Sequence, residues 1–390
     1  MERIRRRFND RQETTALAPV TIQGGTFTGW GGDAYADDIF RGAVDAIARN
    51  VSKLEPRHVV RMSDGTSADG DRALNHVLQV RPNEFMSSVD FTYKLVTHLY
   101  LHNNSFAVVD RDGRRVLGIY PVDASSATFL QDGTGEVYVR FLTRGGGEFT
   151  FPYRDVIHLR RHFNDDALLG TANDAISATL ELANAQTEGM RQGITSGATI
   201  RGILKFTSIM APEKLKESRD AFMSDYMTIA NTGGVIATDV KAEYQPIDSR
   251  PYAIDGEQLE QVRRKVYGYL GVSESIVCSS FTEDQWGAFY EGTIEPLALQ
   301  MSQEFTSKVF TRREQAFGNE VIFDASRMQY ASTATKSQTI AALLPYGVLT
   351  LNQCLAMLNL PAVEGGDKRL QTLNVVDADR ANEYQLGGER

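Results

Sequence analysis

Histidines and carboxylates at close spacing are the first place to look for chemistry. His158 and His162 stand four residues apart, with Asp165 and Asp166 just beyond. Nitrogen and oxygen donors of this kind are what a divalent metal ion takes as ligands. Ile157-His158-Leu159 alternates as a strand does, however. Residues four apart on a strand lie about 13 Å from each other, too far to share one ion, so no metal site is assigned. The two cysteines, Cys278 and Cys354, make neither a disulfide framework nor a thiolate metal site. As nucleophiles they would need a histidine partner that the sequence does not reveal. Asp37-Asp38 and Glu283-Asp284 are acidic pairs, but each sits at an expected helix start, where carboxylates favour the helix dipole. The phosphate loop G-x-x-x-x-G-K-[ST], the G-x-S-x-G elbow, H-E-x-x-H and C-x-x-C are all missing. Gly145-Gly146-Gly147 has no helix after it and reads as a hairpin tip. No catalytic residue, metal ligand or cofactor is assigned, and the chain reads as a non-enzyme.

Arg263, Arg264 and Lys265 form a basic cluster with two readings. One is a solvated helix face, with Glu260 pairing to Arg264 at i,i+4. The other is contact with phosphates. The net charge is −9, from 41 basic and 50 acidic residues. Proteins that grip nucleic acid over their whole surface are basic, because neutralising phosphates drives that binding. Contact confined to a local site is not excluded by charge.

These groups need elements to hold them. With 390 residues, 42% of them hydrophobic, the chain has enough for two or three domains or one elaborate one. No apolar run of about 18 residues is present, so no membrane span is expected. The segment from Phe8 to Thr15 supplies no signal-peptide core, and two cysteines fit a reducing setting. Residues 1–37 read as an arm, Arg-rich and then Gly/Thr-rich, that is either a solvated tail or packs on a neighbouring chain. Phe40, Val44, Ile47, Val51 and Leu54 predict a helix that Pro56 stops. A second helix after Pro82 and Asn83 is striped by Phe85, Val89, Tyr93 and Val96. The period then changes to that of strands at 105–110, 116–120, 128–130, 137–142, 149–151 and 156–159, with turns at Asp112-Gly113 and Asp132-Gly133. A helix to about Ser196 follows, with Thr171 as its N-cap and Asp174 completing a capping box. Ile176, Leu180, Ala183, Thr187, Met190 and Ile194 step by 4, 3, 4, 3, 4, a heptad-like seam. A small module comes next: a strand near 200–206, a helix opened by Pro212, and short strands at 235–237 and 242–245. Helix resumes from about Asp255 to Leu270. Residues 272–284 are a polar, serine-rich loop. The longest helix, about 283–312, carries Pro296 in its middle and should be kinked there. Val321–Phe323 reads as a strand returning to the first domain. The remainder is helical, with Thr350 capping the last helix. The fold class is α+β, and no internal repeat is found.

An ordered set of short motifs resembles the tailed-bacteriophage portal proteins. Arg81-Pro82-Asn83 is followed by Leu99-Tyr100-Leu101-His102-Asn103-Asn104-Ser105-Phe106 and then Tyr120-Pro121-Val122. Asp155-Val156-Ile157-His158-Leu159-Arg160 with Leu169-Gly170, then Gly271-Val272-Ser273, continue the order. Phe289-Tyr290 with Ile294-Glu295-Pro296-Leu297, Tyr346-Gly347-Val348-Leu349-Thr350-Leu351-Asn352, and Gly365-Gly366-Asp367 complete it. Together they cover about Asp38 to Asp367. Asn103-Asn104-Ser105-Phe106 departs from the family's H-G-N-A-Y, Ser273 replaces a proline, and Gln353 replaces a glutamate.

The resemblance implies a portal-type fold assembling as a ring, typically of twelve subunits, at one capsid vertex of a virion built in the host cytoplasm. Residues 38–165 would be the α/β wing, 166–197 the first stem helix, 198–250 a small αβ clip and 251–271 the second stem helix. Residues 272–284 would be the tunnel loop, 285–330 the kinked wing helix and return strand, and 331–390 the helical crown and tail. Double-stranded DNA would pass through the axis during packaging and ejection. Arg263, Arg264, Lys265, Ser275, Ser279, Ser280, Phe281 and Glu283 would line that channel. Ile176, Leu180, Ala183, Met190 and Ile194 would pack stem helices between subunits. Partners would be other copies of the chain, the terminase large subunit, the major capsid protein and a head-completion adaptor. A different head–tail structural protein would lack the order of helix, module and helix. A nucleic-acid-processing enzyme should show clustered carboxylates or a nucleotide loop.

Overall fold

The computed structural model describes residues 18–19, 27–28, 34–143, 145–164, 166–197, 202–206, 211–226, 242–246, 256–324, 333–358 and 360–371. Two compact units emerge, one taking in residues 40–173 and 270 onward, the other residues 174–269 together with the short segment that ends at residue 39.

In the larger unit, β1 (Ala18–Pro19) and β2 (Phe27–Thr28) precede α1 (Asp38–Val51). The expected stripe of α1 is buried, and so are Ala43, Ala46 and Ala48 between its members. Pro56 stops this helix but does not end regular structure, because it is the second residue of β3 (Glu55–Arg61). β3 lies between β13 and β4 (Ser67–Asp69). β4 pairs only with Val59–Arg61, so the missing N–H of Pro56 costs no bond on that side. α2 (Arg72–Gln79) follows, capped by Asp71, whose side chain accepts from Ala73 N. The second expected helix begins at Ser88 instead of directly after Asn83. α3 (Ser88–His102) is opened by a Ser87–Asp90 capping box. Phe85 and Val89 are therefore 72% and 55% exposed instead of forming a stripe, and Phe91, Leu95, Val96 and Leu99 make the buried face.

Six strands follow: β5 (Asn104–Asp112), β6 (Arg115–Val122), β7 (Ala124–Gln131), β8 (Val137–Thr143), β9 (Glu148–Pro152) and β10 (Val156–Arg160). They form two antiparallel sheets. One runs β10-β5-β6; the other runs β7-β8-β9, with β1 and β2 on the outer side of β7. Phe106 from the first sheet meets Phe141 of the second at 5.1 Å between centroids, inside a core that includes Phe129, Phe151, Val139 and Val156. Each such side chain removed from water contributes roughly 1.5–3 kcal/mol.

The second unit contains α4 (Asp174–Gly197), β11 (Gly202–Phe206), α5 (Pro212–Tyr226), β12 (Ala242–Pro246) and α6 (Gly256–Leu270). β11 and β12 pair antiparallel, from Gly202 opposite Pro246 to Phe206 opposite Ala242. Pro212 occupies the first helical position, where its missing donor would be unpaired anyway. The strand expected at 235–237 lies outside the described residues. α4 starts at Asp174, so Thr171 is not its cap.

The chain then returns to the larger unit with α7 (Glu274–Val277), α8 (Glu283–Phe289), a π turn at Tyr290–Ile294, and α9 (Glu295–Val309). The break expected at Pro296 takes the form of that π turn. In a regular helix Pro296 would clash with the Gly292 carbonyl. Here Glu295 N–H instead reaches Tyr290 O, five residues back, and the wider turn takes up the difference before the proline. α10 (Arg312–Ala316) leads to β13 (Asn319–Asp324), which pairs antiparallel with β3. α11 (Thr333–Leu343), β14 (Tyr346–Thr350), α12 (Leu351–Met357) and β15 (Arg369–Gln371) close the described chain. Thr350 caps α12 in a box with Gln353, so glutamine serves where the resemblance has glutamate. The C-terminal part is not purely helical, since β14 and β15 pair across it.

Candidate nucleic-acid-facing and assembly surfaces

The serine-rich segment is more ordered than a polar loop. Val272 and Ile276 are buried and anchor α7. The Ser273 and Ser275 hydroxyls lie 2.9 Å apart. Ser280 N–H donates to Ser275 O at 2.8 Å, and Ser279 turns the chain with φ 56°. Thr293 Oγ1, on the π turn, donates to Gly271 O at 2.6 Å and ties the segment's start to it. Ser279 and Ser280 are exposed, while Ser275 is half-buried. Phe281 packs on Trp286, centroids 5.2 Å apart, and Glu283 forms the first turn of α8 after the Thr282–Gln285 capping box. The residues expected to face DNA thus divide into two exposed serines and three groups partly held by their own segment.

On α6, Val262, Val266, Tyr267 and Leu270 are buried, whereas Arg264 and Lys265 are exposed and Arg263 is half-buried. Arg264 pairs with Glu260 one turn back, as the spacing predicts. An exposed pair of this kind contributes about 0.3–0.5 kcal/mol and leaves the guanidinium open to other anions. On α4, Ile176, Leu180 and Ala183 are already buried within the chain and so are not free to pack on a neighbour, and the seam opens at exposed Thr187 and half-buried Met190. The Ile194 side chain lies outside the described residues.

The tightest geometry lies where the motif residues converge. Asn103, in the left-handed region at φ 53°, ends α3. Its side chain donates to Thr171 O at 2.8 Å and to Asn173 Oδ1 at 2.6 Å. Its carbonyl accepts from Arg161 N at 2.8 Å. Asn173 Nδ2 reaches back to Leu101 O and Tyr100 O. Asn104 Oδ1 accepts from Gly170 N at 2.8 Å and faces His158 Nε2 at 3.0 Å, while its amide donates to Gly170 O. Since Oδ1 can only accept, His158 carries its proton on Nε2, and Nδ1 accepts from the Tyr153 hydroxyl at 3.3 Å. Burial holds the imidazole pKa well below its usual value, reinforced by Arg160 and Lys308. A Cβ on Gly170 would lie 2.3 Å from Arg161 O and 2.5 Å from Asn103 O, so only glycine fits. These residues clamp the end of α3 to β5, to β10 and to the residues just before α4. Spacing alone put His158 on a strand, but its partner Asn104 is 54 positions away.

The polar faces of α9 are the other feature that sequence reasoning missed. Gln300 donates to Arg160 O at 2.8 Å, Glu304 accepts from His158 N at 3.1 Å, and Lys308 donates to Tyr153 O at 3.0 Å. On another face, Ser302 Oγ accepts from Phe323 N and Thr306 Oγ1 accepts from Val321 N, both at 2.9 Å. One helix thus hydrogen-bonds the outer strands of two sheets, β10 and β13. Two strand residues rise about 6.8 Å and four helix residues about 6.0 Å, so side chains at i,i+4 meet strand groups at i,i+2. The far side of the first sheet is covered too. Ile119 N donates to Pro82 O at 2.7 Å, and Asn83 Nδ2 donates to Ile119 O at 2.9 Å. In sequence, Gln300, Glu304 and Lys308 look like a solvated face.

Among the described residues, no three His, Cys, Asp or Glu side chains cluster as metal ligands. A profile of phage portal proteins matches residues 39–359. The probable portal proteins of Lactococcus phages p2 and SK1 are each 21% identical over 394 residues, covering 97% of this chain and 92% of theirs. Among solved structures, a chain from the neck of an empty GTA particle, computed with C6 symmetry, superposes with TM-score 0.63 at 14% identity, over 85% of this chain and 92% of that one. A chain from the neck of a native GTA particle, computed with C12 symmetry, superposes with TM-score 0.62 at 16% identity, over 87% and 96%. At these identities the superpositions establish the fold.

Proposed function

The chain belongs to the phage portal protein family, and from that premise we propose that its copies close into a ring at one capsid vertex, through which double-stranded DNA is packaged and later ejected. The carrying observation is the order α4, β11–α5–β12 unit, α6, serine-rich segment, α8–α9. In this reading α4 and α6 are the stem, residues 198–250 the clip, residues 272–284 the tunnel loop, α9 the wing helix, and residues 331–390 the crown. The clip docks the terminase large subunit during packaging and the head-completion adaptor afterwards. The wing meets the major capsid protein. The role is structural, not catalytic.

A closed ring needs two different patches on each subunit that fit one another. Ile176, Leu180 and Ala183 are buried within the chain itself, so the part of α4 that opens at Thr187 and runs to half-buried Met190 is what remains to supply one of them. The charge balance suits a conduit. Each phosphate contact adds salt-sensitive affinity that would hold DNA in place. Copies carrying −9 each resist that, while Arg263, Arg264 and Lys265 centre the duplex at a few points. Electron microscopy of the purified protein is expected to show rings with a central hole and these three residues toward it. A monodisperse monomer at high concentration would overturn the ring, and rings with all three residues on the outer stem surface would overturn the channel assignment alone.

A further inference from the structure

A groove of about 210 Å³ lies in the larger unit between the tip of the β5–β6 hairpin, the start of α2 and the junction of α9 with α10. Leu74, Val116 and Val309 give it an apolar floor, and Phe310 packs beside His58 at 4.7 Å. Arg114 and Arg115 stand on its rim, and both are exposed. Gly113, at φ 60°, takes the first central position of the hairpin turn and Arg114 the second, which fixes where both arginines leave the backbone.

Carboxylates are close, but they are engaged elsewhere. Asp71 accepts from Ala73 N as the cap of α2. Glu314 accepts from Thr311 N at 2.9 Å and from Thr311 Oγ1 at 2.7 Å as the cap of α10. Those bonds, and then the nearby Arg114 and Arg111, keep Glu314 ionised. Among the described residues, neither Arg114 nor Arg115 has a hydrogen-bond or ion-pair partner. Arg313, which flanks Glu314, lies over the exposed Phe317 ring at 6.0 Å. A guanidinium is planar and matches a carboxylate with two parallel bonds. Two guanidiniums that make no hydrogen bond or close ion pair, Arg114 with Glu314 only in its neighbourhood, stand above an apolar slot and fit a ligand that offers carboxylates beside one apolar side chain.

We propose that this groove docks an acidic peptide segment of another protein, with a single aliphatic or aromatic side chain entering the slot and flanking carboxylates held by Arg114 and Arg115. Nucleic acid fits less well. The slot is short and its apolar floor takes one side chain, whereas an extended strand needs a row of phosphate contacts. The inference does not rest on the ring, since one folded subunit suffices.

The test uses the full chain and three fluorescein-labelled probes in low salt. They are a short peptide of glutamates around a central leucine, its glutamine counterpart, and an oligothymidylate of similar length. The glutamate peptide is expected to bind saturably, and the R114A/R115A double variant to bind it about ten-fold more weakly or less, two charge-assisted pairs being lost. Both residues are exposed and make no hydrogen bond, so the variant's thermal midpoint serves as the folding control. Three outcomes overturn the proposal: unchanged binding in the variant, equal binding of the glutamine peptide, or tighter arginine-dependent binding of the oligonucleotide.

Discussion

His158 shows how one side chain can be both readable and hidden. The D-V-I-H-L-R run marked it as special, and alternation placed it on a strand, which β10 confirms. What it does there depends on Asn104, Phe106 and Tyr153, none of which spacing links to it. Its ring stacks on Phe106 at 4.3 Å and is buried. Its pKa in the folded chain lies below the 6.5 of an ordinary histidine. Between those two values the unfolded chain binds the extra proton and the folded chain does not. The stabilisation is therefore complete above about pH 6.5 and is lost as the pH falls from there toward the folded pKa, at up to about 1.4 kcal/mol per pH unit. Urea denaturation at pH 7.5 and 5.5 should show a larger loss for the native sequence than for H158Q. Equal slopes would mean that the imidazole is not held neutral.

Elements were legible where a period persists, as in α1, the strands from β5 to β10 and α6, and where a capping residue marks a start, as Thr350 does for α12. The region 55–80 was not legible. β3 and β4 are short, β3 carries a proline, and its partner β13 lies more than 250 positions away, with Asn319 opposite Val60. The Phe85 stripe failed because the capping box at Ser87 and Asp90 sets the start of α3, and the residues before it form a turn. α9 was expected as a helix but not for its polar faces. Replacing Glu304 with alanine leaves the His158 N–H without its acceptor and removes the partner 3.7 Å from Lys308, whose side chain is only 11% exposed. The expected cost is about 1–3 kcal/mol, together with faster hydrogen exchange at the His158 amide. Unchanged exchange there would show that the helix does not hold the strand.

At the scale of the molecule, the order of motifs carried more than any single one, and it led to the family that the profile over 39–359 establishes. Which face meets a neighbouring subunit was not legible, because a patch that pairs with another copy looks in one sequence like any exposed patch. Like-charged copies repel, and salt screens that repulsion over about 10 Å at 0.1 M. Light scattering on the purified protein should therefore show more ring and less subunit as sodium chloride rises from low to moderate concentration. Rings that dissolve over that range would instead point to ion pairs across the interface. The placement of α9 matters before any ring exists. Unpaired strand margins are templates on which another chain can grow a sheet. The single chain keeps β10 and β13 occupied by one helix of its own and β6 partly occupied by Pro82 and Asn83. Five polar side chains of α9 thus leave those two margins less open to the sheet growth that ends in fibres.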